Sequence, residues 1–240
     1  AYCYIGTEKP NHDVVIVGWD DSYSKDNFNT DLEGDGAFIC QNSWGDNFGE
    51  NGFFYISYYD TNIGTHNVVY TDIENTDNYD HIYQSDLCGW VGQLGYNKDS
   101  IYGANVFTAE GNETLKAASF YATGKDSQYE LYVVRQFADE SSLEKMIPVA
   151  SGKLGNAGYY TVDFNQGIEV DAGERYAVVL HIITPGSVHP MAIEYAADEA
   201  TENVDLDDGE SYISVNGSKW VSVDTVEKSN LCIKAFSDNR

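Results

Sequence analysis

Short runs of β-branched and aromatic residues, cut apart by Gly, Asp and Asn, recur along the whole chain and leave little room for helical periodicity. The first are Val14–Val17, Ala37–Gln41, Phe53–Tyr59 and Asn67–Thr71. An acidic, turn-rich loop from Asp20 to Gly36 separates the first two. After a polar stretch from Glu74 to Ser85 the pattern restarts. Strands are then expected at Ile101–Thr108, Leu115–Ala122, Tyr129–Phe137, Tyr159–Phe164, Tyr176–Ile183, Met191–Tyr195, Tyr212–Val215, Trp220–Val223 and Leu231–Phe236. Strands at such spacing, separated by turn residues, make a β-sandwich or jelly roll. Asn216-Gly217 between two alternating runs signals a two-residue hairpin, whose central positions both need positive φ. VDAGERYAVVLHI reads as an acidic turn entering a buried strand, and Glu140–Met146 has room for one or two helical turns. The fold class is therefore mainly β, with one domain at residues 1–78 and a second at 79–240.

Charge limits the partners. The 39 acidic and 13 basic residues give a net charge of −26. Both parts share it: residues 1–80 carry 15 acidic and 2 basic residues, and 81–240 carry 24 and 11. Such a field repels phosphate backbones and anionic lipid, which excludes nucleic-acid and membrane-surface roles. It could attract basic peptides, although a solubilising surface on an exported protein is the simpler reading. No apolar run reaches the ~18 residues of a membrane-spanning helix, and no signal peptide is visible. Four cysteines (Cys3, Cys40, Cys88, Cys232) allow three pairings and do not fix a redox compartment.

Two polar residues stand where two strands would bring them together. His12 precedes the first apolar strand, and Asn42 follows the second, leading into Ser43-Trp44-Gly45. If those strands pair antiparallel, the ends meet and a His–Asn pair forms beneath an indole cover. An imidazole held in one orientation by an amide oxygen is the base that a thiol nucleophile needs. The phrases NHDVVIVGWDD and NSWGDNFGENGFFYIS resemble the histidine and asparagine motifs of the papain family of cysteine peptidases, in the same order and spacing. Phe48 stands where that family has a second tryptophan.

The resemblance covers about residues 1–73, the β-rich half of the papain-like fold. It implies thiolate attack, an acyl-enzyme and hydrolysis, with His12 as base and acid, Asn42 as orienting group and Trp44 as shield. The family's nucleophile lies some 130–150 residues before its histidine, and nothing here replaces it. Cys3 has no helix signal around it, Cys40 reads as core, and Cys88 in LCGW lacks a preceding Gln-Gly. The expected partner is thus an N-terminal Cys-bearing half or chain of the same peptidase. Without it this chain should be inactive and should expose strands and a bare apolar face.

Residues 83–236, with YQSDLCGWVGQLGY, YGANVFTAEGNETLKAASFYA and YELYVVRQF, resemble the lectin-like domain of bacterial surface cysteine peptidases. That resemblance implies a secreted or cell-surface protein that acts on peptides and touches cell-wall carbohydrate. Trp90, Tyr96 and Trp220 could stack on sugar rings or be buried. The competing reading is a carbohydrate- or wall-binding module carrying a peptidase remnant. A Cys88–Cys232 bridge is an open alternative. No cofactor is required; calcium could bind the aspartates at 20, 21, 26, 31 and 35, which lack EF-hand spacing and suit a solvated loop. His66, His81, His181 and His189 show no zinc-ligand spacing.

Overall fold

A computed structural model describes residues 1–65, 67–223 and 227–240. His66 lies outside the described residues. The chain divides into two units, Ala1–Thr71 and Asp72–Arg240.

The first unit is built on one antiparallel sheet of order β1-β2-β3: β1 (Val15–Asp20), β2 (Ala37–Gln41) and β3 (Phe53–Ser57). Val15 pairs with Gln41, and the register slips between Ile16 and Gly18, leaving Val17 as the extra residue of a bulge. The core is small. Phe28, Leu32 and Ala37 are buried, with Cys3, Tyr23 and Tyr55 packed against them. Both faces of β1 are open to solvent at Val15, Ile16, Val17 and Trp19. The expected strand at Asn67–Thr71 does not form. Val68, Val69 and Tyr70 are exposed and pair with no strand among the described residues, so their β-propensity has no ladder to join.

Among the described residues the second unit holds thirteen further strands: β4 (His81–Tyr83), β5 (Gly92–Leu94), β6 (Ser100–Thr108), β7 (Glu113–Ala122), β8 (Ser127–Val134), β9 (Ile147–Leu154), β10 (Gly158–Val170), β11 (Arg175–Ile183), β12 (Met191–Glu194), β13 (Ser211–Ser214), β14 (Val221–Ser222), β15 (Asn230–Leu231) and β16 (Ile233–Asn239). A four-stranded sheet (β10-β7-β16-β4) and a six-stranded sheet (β14-β13-β6-β11-β8-β9) enclose the main core, and β15-β12-β5 form a third, small sheet. Alternation decides which residues enter. Tyr176, Val178, Leu180 and Ile182 of β11 point inward against Leu115 and Phe120 of β7. Ala177 and Val179 point outward into a second cluster with Val134, Phe137 and Leu143. Asn105 crosses the interior, donating to the carbonyls of Leu231 (2.9 Å) and Ile233 (2.8 Å) and accepting from Ser211 (2.7 Å). Every polar atom of that buried side chain is thereby satisfied.

Several expectations need correction. The polar stretch from Glu74 to Ser85, where no strand is expected, contains β4, and β5 and β9 are likewise absent from the expected strands. These are short or rich in Gly and polar residues, and pairing rather than propensity makes them strands. The helical turns at Glu140–Met146 are a 3-10 helix, Glu140–Glu144, capped by Asp139. Asn216-Gly217 is no two-residue hairpin. Tyr212 pairs with Ser222 and Ile213 with Val221, leaving a longer loop in which only Gly217 has positive φ. Asn216 Oδ1 instead accepts from the Ser218 amide at 3.2 Å, an Asx turn. All four cysteines are free. Cys232 is buried while Cys88 is exposed, so the pair forms no bridge.

Candidate active site

The first unit brings His12, Asn42 and Trp44 together. Antiparallel pairing of Val15 with Gln41 sets the residues before β1 beside those after β2. His12 Nε2 lies 3.0 Å from Asn42 Oδ1. Asn42 is buried, and its Oδ1 also accepts from the Ser43 amide at 2.8 Å. A backbone N–H can only donate, so that bond fixes which end of the amide faces His12. The ring must then donate from Nε2, which leaves the lone pair of the neutral imidazole on Nδ1. No hydrogen bond to Nδ1 occurs among the described residues.

The loop after Asn42 is folded by its own backbone. Asn42 N–H donates to Gly52 O (2.9 Å), and Gly52 N–H to Phe48 O (2.7 Å). Gly49 has φ 57°, and a Cβ there would lie 2.2 Å from Phe53 O, so only glycine closes this turn. Trp44 thereby stacks on His12 with ring centroids 5.1 Å apart and planes at 29°. Phe48 meets Trp44 edge-on at 5.0 Å, and Phe54 of β3 meets Phe48 at 5.4 Å. The sequence treats Phe48 only as a departure. In the fold it is the link that ties the indole to the sheet.

Among the described residues of the first unit no thiol is bonded to the pair. Cys40 is buried in β2, and burial pushes its thiol up to about 11. Burial also raises the Cys3 thiol, ahead of a lowering hydrogen bond from Ser57. Both are the reverse of an activated nucleophile. Cys88 and Cys232 belong to the second unit.

Oxygen ligands for a hard cation were expected in the Asp20–Gly36 loop. Three of those aspartates close turns or bind neighbours: Asp20 accepts from Ser22, Asp21 from the Tyr58 hydroxyl, and Asp35 from the Lys25 amide. Among the described residues no three His, Cys, Asp or Glu side chains converge as a metal set. A different oxygen cluster fits better. Asn230 Nδ2 faces Ser85 O (2.7 Å), Asp205 O (2.9 Å), Glu194 Oε1 (3.1 Å) and Asp208 Oδ1 (3.2 Å). An amide has two hydrogens for these four acceptors, and Asn230 Oδ1 is buried without a partner. Burial, then the neighbouring Asp205, pushes the Asp208 carboxyl up. Carbonyls, carboxylates and an amide oxygen are the donors calcium takes.

The geometry defines a His–Asn pair of papain type on one unit and a β-sandwich on the other. Residues 2–73 match the papain family of cysteine proteases, and residues 82–237 match the lectin-like domain family. The second match covers most of the chain, which belongs to the lectin-like domain family and carries a papain-family segment before that domain. Among solved structures it is similar to the clostridial cysteine protease Cwp84 after propeptide cleavage, at 29% identity and TM-score 0.79 over 96% of this chain and 58% of that one. It is also similar to the cysteine protease and lectin-like domains of Cwp84, a surface layer associated protein of Clostridium difficile. There the identity is 27% and the TM-score 0.74, over 96% of this chain and 52% of that one. The chain thus spans little more than half the length of these solved chains. No curated protein matches it.

Proposed function

We propose that this chain supplies the base and orienting amide of a papain-type cysteine peptidase acting at a bacterial cell surface or after secretion. The observation that carries the reading is the 3.0 Å contact between His12 Nε2 and Asn42 Oδ1, under Trp44, with Nδ1 left to receive a proton. A cysteine held opposite Nδ1 by a Cys-bearing half or separate chain would give up its proton to His12 and attack the peptide carbonyl. His12 would return that proton to the leaving amine, and Asn42 would hold the imidazolium in place. The bare apolar residues of β1 suit coverage by that partner. The second unit would hold the enzyme on cell-wall saccharide. The oxygen set around Asn230 would hold a calcium ion that neutralises the buried Glu194 carboxylate there.

The test is peptide cleavage by this chain alone and with its partner. The chain alone should not turn over a fluorogenic peptide. Intact mass of the native protein should show a second polypeptide with a cysteine alkylated rapidly at about pH 6, where an ordinary thiol is protonated. Cleavage by this chain alone, abolished in His12→Ala, would sink the claim that the nucleophile lies elsewhere.

A further inference from the structure

The outer face of the six-stranded sheet carries a second ordered polar group. His181 of β11 stands directly opposite Tyr102 of β6 on one side and Glu130 of β8 on the other. Its ring lies flat on Tyr102, with centroids 3.9 Å apart and planes at 4°. His181 Nδ1 is 2.7 Å from Glu130 Oε2, and Nε2 is 2.9 Å from Ser100 Oγ. A carboxylate only accepts, so Nδ1 donates, and in the neutral ring Nε2 accepts the Ser100 hydroxyl proton. Glu130 Oε2 also accepts from the Tyr132 hydroxyl at 3.0 Å.

Ser100, His181 and Glu130 have the connectivity of an acyl-transfer relay. The sheet withholds the rest of that machinery. Strand N–H groups lie in the plane of the sheet, so none converges on an oxyanion above its face. What the network does achieve is immobility. Every polar atom in it is committed except Glu130 Oε1, for which no bond is present among the described residues.

Glu130 borders an open cavity of about 450 Å³ that is also lined by Gln128, Tyr129, Ser151, Gly152, Lys153, His181 and Ile183. The lining residues are cross-strand partners: Glu130 opposes Ser151, and Gln128 opposes Lys153. The Gln128 amide and Ser151 hydroxyl are bonded to no other side chain among the described residues, and Lys153 meets only Asp126, at 3.8 Å. A carboxylate oxygen, an amide, a hydroxyl and an ammonium group, fixed on a rigid sheet, suit a ligand whose groups both donate and accept. One lysine, already beside an aspartate, cannot hold an anion against Glu130 and a net charge of −26.

We propose that this cavity binds a neutral saccharide through vicinal hydroxyls, with Glu130 Oε1 as principal acceptor. The proposal rests on the saccharide reading of the second unit and gives that reading a place. The test uses the whole chain on an array of neutral hexose and N-acetylhexosamine oligosaccharides, with titration of the best binder. Glu130→Gln and Lys153→Ala sit at half-exposed or exposed positions and should keep the wild-type melting temperature. Each should weaken binding, Glu130→Gln at least tenfold and Lys153→Ala severalfold. His181→Ala should match Glu130→Gln. Trp90→Ala, in the separate aromatic row with Tyr121, should bind as wild type. If wild type binds but Glu130→Gln and Lys153→Ala bind equally well, or Trp90→Ala abolishes binding, the cavity is not the site and the saccharide reading survives. If wild type retains no neutral glycan, the saccharide reading itself falls. Retention of peptides alone, as through the edge of β9, overturns the proposal as well.

Discussion

The two units solve opposite problems. In Asp72–Arg240 both sheets bury one face against the other, and Tyr176, Phe120, Leu115 and Leu131 are fully enclosed. In Ala1–Thr71 the single sheet encloses little, while Val15 and Val17 are at least half exposed and Trp19 is 70% exposed. Yet the smaller unit holds the His–Asn pair. Burial sets how firmly a unit stands, whereas a site needs only a few side chains fixed locally. Here a short strand register, one backbone amide and three aromatic rings do the fixing. The contrast predicts that variants in one unit change chemistry and variants in the other change stability.

The sharpest way to break that division is His12→Ala in the proposed assembly with a Cys-bearing partner. Losing the base should cut turnover at least ~10⁴-fold with the melting temperature unchanged. A simultaneous fall in melting temperature would mean that His12 holds the unit together. Phe120→Ala is the converse. Removing a fully buried ring from the sandwich should cost about 3–5 kcal/mol in denaturant unfolding and leave the His12–Asn42 chemistry intact. A cost near zero would show that this core is not what stabilises the second unit.

Asn42→Ala should have a smaller effect, roughly 10²-fold on kcat, because the imidazole stays present but can rotate. Phe48→Leu should be milder still, since it loosens Trp44 without touching His12, and about a tenfold loss is expected. A loss as large as that of Asn42→Ala would make the aromatic ladder, rather than the amide, the element that sets the ring.

Much of this site is legible in the sequence because it is local. His12 and Asn42 flank strands whose alternation and turn residues mark their ends, so antiparallel pairing alone joins them. Phe48 was not legible as a support, since edge-to-face contacts with Trp44 and Phe54 arise only once the Gly49 turn closes. The sandwich strands follow from β-branched runs such as Tyr176–Ile183. The misses share a cause. His81–Tyr83 and Gly92–Leu94 are strands only because β16 and β12 offer them ladders, and Asn67–Thr71 has the right composition without a partner. The Ser100–His181–Glu130 network joins residues 81 and 51 positions apart, and it exists only through the register of three strands.

Acid should separate the two units by a smaller margin, through carboxylates buried in the second. Burial pushes Glu113 up, but bonds from the Ser237 and Tyr83 hydroxyls and the Gly111 amide outweigh it and hold the carboxyl below its ordinary 4.5. Glu174 is shifted the same way: burial raises it, and the two-point contact with Arg135 at 2.9 and 2.7 Å lowers it further. A carboxyl whose folded-state pKa is depressed stabilises the fold fully above its unfolded pKa. That stabilisation is lost as pH falls through the folded value. The second unit should therefore hold its melting temperature from neutrality down to about pH 5 and lose it progressively below 4.5. In Glu113→Gln the unit should be weaker at neutral pH, because an amide cannot accept from all three donors. It should also show a shallower acid slope. An unchanged slope in both Glu113→Gln and Glu174→Gln would mean that other groups carry the acid sensitivity.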